Sequence, residues 1–285
     1  MTSVLTLTVA SAPVSVPQPD VDAPDTHVWH APDGRPIAYF FPVEGNYWAS
    51  LPGIGSYRVE PDGAVLAVPE PTASYSLVLD AYRRTVLPQA LQFFGREVLH
   101  ASAVVGPNGV VGFCAYSQTG KSTLAFALAQ RGYRPWADDA LAFEPGAETS
   151  EALALPFAVR LRPESQEYFA VEPLPPETEP QNGTVITIGA ERHPISALCV
   201  LTRGTEDEPS RIEPLQASEA VTALLPHAYW STLADEPRKA RMVQTYLELT
   251  NTISTYAVTI SPVLERLPTL LDELERTVLA PGEGR

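Results

Sequence analysis

The sequence predicts an α/β protein with a mixed sheet, and three features carry that prediction. The apolar run Val110-Val111-Gly112-Phe113-Cys114 leads into Ala115-Tyr116-Ser117-Gln118-Thr119-Gly120-Lys121-Ser122, after which Leu124 and Leu128 lie one helical turn apart. A second apolar run, Val98 to Val104, precedes Gly106-Pro107-Asn108-Gly109 and reads as the antiparallel hairpin partner of the first. A hairpin directly before such a loop departs from the doubly wound nucleotide folds, whose strands are joined by helical crossovers. Upstream of Gly95, short alternating segments punctuated twice by Pro-Asp-Gly mark a separate β-rich subdomain.

The 285 residues, 45% of them hydrophobic and 19% charged, suffice for one large domain or two small ones with a sizeable core. A formal charge of −15 argues against nucleic acid as a partner, because phosphate strands need a basic face. No stretch approaches the roughly 20 apolar residues of a membrane helix, so no membrane partner is expected. Cys114 and Cys199 sit in apolar runs outside any metal-ligand spacing and read as reduced core thiols. The lack of a disulfide framework points to a reducing, cytoplasmic compartment. The first twelve residues faintly resemble a signal peptide but lack a basic n-region.

In chain order, residues 1–26, with Pro13, Pro17, Pro19 and Pro24, are expected to be a flexible leader. Residues 27–95 should form the hairpin-rich subdomain, with strands at Pro36 to Phe41, Asn46 to Leu51, Tyr57 to Glu60 and Ala64 to Val68. A helical pattern follows from Ser74 to Phe94, split by Pro88 and ended by Gly95. Residues 96–285 should be the domain built on the central loop. Its helix should run from Ser122 to Arg131, with Gly132 as C′ residue, and Asp138-Asp139 should open the strand that runs to Phe143. Pro145 to Ser150 and Glu172 to Gly183 read as surface loops, and Val185 to Ile188 and Ile195 to Leu201 as strands. A helix capped by Ser218, another over Arg238 to Thr250, a strand over Ser254 to Ile260 and a final helix striped by Leu267, Leu270, Leu271, Leu274 and Val278 complete the chain.

The central loop has the form G-x-x-x-x-G-K-[ST] with Ala115 in the first glycine's place. Successive N–H groups and a helix N-terminus make a concavity for polyphosphate, so Ala115, Tyr116, Ser117, Gln118, Thr119, Gly120, Lys121, Ser122 and Thr123 are the expected nucleotide contacts. Lys121 would reach the β- and γ-phosphates and Ser122 would bind Mg²⁺. Asp138 and Asp139 can divide metal binding and proton acceptance between them, although the pair alone also fits a solvated strand end. The hairpin brings His100 toward the loop; taken alone, it also fits a half-buried strand histidine.

In this order, His100-Ala-Ser, the loop Ala115 to Ser122, Arg131-Gly132-Tyr133 and Ala137-Asp138-Asp139 resemble the HPr kinase/phosphorylase family. The closer resemblance is to its kinase-like relatives outside sugar-uptake control, and it covers about residues 96 to 200. It implies a core like that of ATP-type phosphoenolpyruvate carboxykinase, with a hairpin before the loop. It also implies His100, Lys121 and Asp139 as catalytic residues, Asp139 taking the serine proton, and Ser122 and Glu164 as Mg²⁺ ligands beside Asp138. The activity implied is ATP- and Mg²⁺-dependent phosphorylation of a hydroxyl, serine by preference, on a protein or peptide. Self-association into a homo-oligomer stays open. The alternatives are a catalytically silent nucleotide-binding regulatory module and a carboxykinase-like metabolic enzyme. The family has glycine where this chain has Ala115 and Gln118, which predicts strain at Gln118. It lacks counterparts of the family's phosphate-removing motifs, so phosphorylase activity is not expected.

Overall fold

The structure, a computed structural model, describes residues 3–146, 148–172, 184–188, 191–229 and 236–280. It is a mixed α/β protein whose chain divides into two compact units. The first comprises Met1–Arg96, Pro175–Ala190 and Tyr229–Ala240, the second Glu97–Leu174, Glu191–Ala228 and Arg241–Arg285.

The first unit is built on β1 (Ser3–Val9), β2 (His27–His30), β3 (Pro36–Val43), β4 (Asn46–Leu51), β5 (Gly55–Val59) and β6 (Ala64–Pro69). A seventh strand, Thr184–Ile188 (β13), pairs antiparallel with β1, giving the order β13-β1-β6-β5-β4-β3-β2. Both Pro-Asp-Gly segments make the same turn. Gly34 and Gly63 adopt φ of 83° and 96°, and Asp33 and Asp62 each accept a hydrogen bond from the N–H two residues on. The helical run consists of α1 (Tyr75–Ala81), capped by Ser74, a π-helical turn over Tyr82–Val86, and α2 (Leu87–Phe93). Pro88 does not split the run as expected. The wider turn before it lets Leu87 donate to Tyr82, five residues back, where a tight α-turn would crowd the proline ring. Tyr57 ties this helical layer to the sheet by donating its hydroxyl to the Val78 carbonyl at 2.7 Å.

Two expectations for the domain boundaries need correction. Residues 3–9 are not leader but a sheet strand. Leu7 is buried while the adjacent Thr8 is exposed, the alternation of a sheet strand. Nor is everything after residue 96 one continuous domain, because the chain returns to pair β13 with β1.

The second unit contains β7 (Glu97–Leu99), β8 (Ala101–Gly106), β9 (Gly109–Cys114), α3 (Lys121–Gln130), β10 (Arg134–Ala137), β11 (Leu141–Glu144), β12 (Glu151–Leu153), α4 (Pro163–Phe169), β14 (Arg192–Arg203), β15 (Arg211–Pro214), α5 (Ala217–Leu224), α6 (Glu236–Thr252, which begins in the first unit), β16 (Ser254–Ile260) and α7 (Leu267–Thr277). Strands β8 and β9 form the expected hairpin, and β9, β14 and β16 run parallel. Strand order is β10-β8-β9-β14-β12-β11-β7, with β16 on β14 and β15 on β16. Leu124 and Leu128 of α3 and Leu270, Leu271 and Leu274 of α7 pack with Val111, Phe113, Cys199 and Val258 of the sheet. Both cysteines are free and buried, and burial pushes the Cys114 thiol up to about 12. Arg131 donates to Asp272 and Glu275, each at 2.7 Å, tying the end of α3 to α7.

Local departures have local causes. The run from Val98 to Val104 breaks at His100, and the run from Asp138 to Phe143 begins as a strand only at Leu141. The α5 cap is Gln216, which forms a capping box with Glu219, so Ser218 lies inside the helix. Of the two expected loops, Glu172 to Gly183 lies outside the described residues apart from Glu172 itself.

Gly109 is where the sheet leaves no room. Its φ is +132°, and a Cβ there would stand 2.2 Å from the Pro194 carbonyl oxygen, a backbone atom that cannot swing away. Gly132 also has positive φ, +97°, but nothing lies within 4 Å of its Cβ position. Gly109→Ala is therefore expected to destabilise the unit by about 3 kcal/mol or more, and Gly132→Ala by about 1 kcal/mol. Denaturant unfolding of both variants tests this, and equal losses would contradict the packing described.

Candidate active site

The parallel strands β9, β14 and β16 bring their carboxyl ends to one edge of the second unit, where open α/β sheets bind ligands. The segment Ala115 to Gly120 leaves β9 there and enters α3 at Lys121. Gln118 and Gly120 adopt φ of 73° and 117°. Left-handed residues interleaved with right-handed ones turn successive N–H groups to one side, the geometry of an anion-binding concavity. Leu124 donates to the Gly120 carbonyl at 2.9 Å, which closes the first turn of α3, and the N-terminus of a helix is the positive end of its dipole. Lys121 is only 5% exposed, and its Nζ donates to the Ala115 carbonyl at 3.0 Å, folded along the loop.

Asp138 joins this loop to the hairpin. Its Oδ1 accepts from Ser102 Oγ at 2.6 Å and Ser122 Oγ at 2.7 Å, and its Oδ2 accepts from the Arg160 N–H at 3.2 Å. Burial holds the carboxyl above its ordinary range, with the neighbouring Asp139 adding to the shift and the three donors opposing it. Asp139 does not lie on an extended strand as expected. At φ 66° it turns the chain between β10 and β11, so that Asp138 is buried while Asp139 stays partly exposed. His100 Nε2 lies 3.8 Å from Asp139 Oδ1. Ala101 pairs with Cys114, so His100 sits just past the open end of the hairpin, beside the start of the loop.

Sequence reasoning missed Ser102, Arg160 and His227. Ser102 is a lone hydroxyl in a buried strand, and only the register of β8 shows where it points. His227 accepts from the His100 N–H at 2.7 Å through its carbonyl, and its ring meets Tyr116 of the loop at 5.0 Å. Burial, followed by the charges of His100 and Lys121, lowers its imidazole to about 4, which keeps it neutral. Glu164 follows in the chain the Arg160 segment that bonds Asp138. It is exposed in the first turn of α4, and its neighbour Ser165 reaches α3, pairing with Thr123 at 2.9 Å. Among the described residues, no group of three or more His, Cys, Asp or Glu side chains is placed to hold a metal ion.

Mg²⁺ takes oxygen ligands, commonly one or two carboxylates with waters and substrate phosphates completing its shell, and the Ser122 and Asp138 oxygens fit that need. The loop's left-handed residues, the N-terminus of α3 and buried Lys121 fit a polyphosphate.

The Ser102 bond has a pH-dependent consequence. Asp138 titrates above the ordinary carboxylate range in the folded protein, so the stability it contributes is fully present below that range and lost as pH rises through the folded value. Removing a donor to the ionised carboxylate deepens that loss. Ser102→Ala is expected to cost about 1–3 kcal/mol at neutral pH, with the gap to wild type narrowing in acid. Thermal melts across pH test this, and a gap that widens in acid would contradict it.

No model of a known protein family matches the chain, and no curated protein matches it. Among solved structures it is similar to the HPr(Ser) kinase/phosphatase from Coxiella burnetii, at 15% identity and a TM-score of 0.31, over 63% of this chain and 88% of that one. No helix of the described residues is long and apolar enough to cross a membrane.

Proposed function

We propose that this chain is an ATP- and Mg²⁺-dependent kinase that phosphorylates a hydroxyl, serine by preference, on a protein or peptide. The observation that carries the reading is the junction of the phosphate-loop serine with Asp138 beside a second, separately placed carboxylate. Ser122 donates a hydrogen bond to Asp138 Oδ1, leaving hydroxyl lone pairs for a cation, and Asp138 retains lone-pair capacity on Oδ2. Mg²⁺, when bound, would neutralise charge on the β- and γ-phosphates. Lys121 and the loop amides would stabilise the transferring phosphoryl group. Asp139, partly exposed beside His100, would orient the acceptor hydroxyl and take its proton. His100 would steady Asp139 and a phosphate oxygen.

The proposal covers phosphorylation only. Removal of phosphate with inorganic phosphate as nucleophile needs a second anion site. Of the two arginines nearest that role in the sequence, Arg211 lies 3.2 Å from Glu213. Arg203 donates to the Gln118 carbonyl of the loop.

Lys121→Ala is expected to weaken ATP·Mg²⁺ binding and to slow any transfer roughly 10²-fold or more. Calorimetric titration of both proteins measures the first effect, and equal affinity would remove the phosphate-loop assignment. Asp139→Asn should keep ATP affinity while transfer falls by roughly 10²-fold or more, because an amide cannot accept the proton. Transfer of γ-labelled phosphate to an array of serine peptides reads this out. Tight ATP binding with no labelled peptide from the wild type would instead favour the catalytically silent module.

A further inference from the structure

We infer that Arg203 is a positioning residue for the phosphate loop, holding Gln118 in the left-handed conformation that a glycine would adopt unaided. The inference rests on the nucleotide reading above and deepens it. Two residues of the loop have positive φ, Gln118 at 73° and Gly120 at 117°. Gly120 takes that conformation without penalty, whereas at Gln118 the Cβ crowds the following carbonyl, so only Gln118 needs outside support.

The support is in place. Arg203 is the last residue of β14, a 12-residue strand paired with β9 on one side and β16 on the other. Val200 of β14 lies opposite Cys114 of β9, so Arg203, three residues on, stands level with the loop that leaves β9. Its Nη1 donates to the Gln118 carbonyl oxygen at 3.3 Å. Opposite Arg203 on β16 is Ile260, whose Cδ1 lies 4.0 Å from the Cβ position of Gly120. The end of β14 thus backs Gln118 through a hydrogen bond, while the side chain of Ile260 at the end of β16 leaves open the space beside Gly120. A guanidinium is suited to the first task, since it keeps its charge and has further N–H donors while one bonds the carbonyl.

The test is a double-mutant cycle of Arg203→Gln and Gln118→Gly, read by ATP titration, together with amide exchange of residues 116–120 in nucleotide-free protein. Arg203→Gln should speed exchange across the loop and raise the Kd for ATP about fivefold, with Arg203→Lys restoring part of both. In the Gln118→Gly background, Arg203→Gln should change Kd less than about twofold, because glycine removes the need for the support. If transfer is measurable, KM for ATP should rise while kcat holds. An equal loss in both backgrounds would show that Arg203 touches the nucleotide directly and would overturn the inference. So would unchanged exchange and affinity in the single variant. Failure of wild type to bind ATP would overturn the nucleotide reading and this inference with it, a result distinct from either.

Discussion

The candidate site depends on one buried carboxylate. Asp138 accepts from Ser102 on β8, from Ser122 at the start of α3 and from the backbone of Arg160, three segments far apart in the sequence. Burial alone would drive such a group toward its neutral form, and the three donors oppose that drive. An ionised carboxylate in this position can therefore hold the hairpin, the loop helix and the segment before α4 in one arrangement. It also fixes the Ser122 hydroxyl by accepting its hydrogen bond, which turns the oxygen lone pairs away from Asp138, as a metal-binding oxygen requires.

Around that anchor the backbone takes conformations that L-residues avoid. Asp139 turns the chain at φ 66° and Gln118 shapes the loop at 73°. Such conformations persist only where the surroundings over-determine them, and they concentrate at functional sites. Asp138 is bonded on both oxygens immediately before Asp139, and Arg203 bonds the Gln118 carbonyl. The turn at Asp139 has a chemical result, because it gives two adjacent carboxylates different environments. One is buried and committed to hydrogen bonds, and the other stands partly exposed beside His100. Unlike environments let neighbouring carboxylates perform unlike tasks.

Chain threading is less simple than the order of motifs suggests. The first unit receives β13 from a segment that follows α4, so its sheet is completed only after most of the second unit's strands have been made. It also receives Tyr229–Ala240, and α6 therefore begins in one unit and ends in the other. Pairing of β13 with β1 caps an edge that β1 would otherwise present, a common way to protect a sheet from unwanted strand addition.

Local chemistry made much of this protein legible in its sequence. Pro-Asp-Gly sets the same turn twice, Gly132 ends α3, and the leucine stripe of α7 matches a single buried face. The hairpin, the loop and the helix after it follow from apolar runs and from residues with strong local preferences, so neighbours along the chain suffice to define them. Contacts between distant segments were not legible. Ser102 gains its meaning from the register of β8 and from Asp138, which lies 36 residues on, and Arg203 gains its own from lying beside a loop 85 residues earlier. Ser165 is a further case, since only the folded chain brings its hydroxyl to Thr123 of α3. Sequence patterns report what a segment prefers, whereas the partner of a buried polar group is chosen by packing between segments, and that choice exists only in the folded chain.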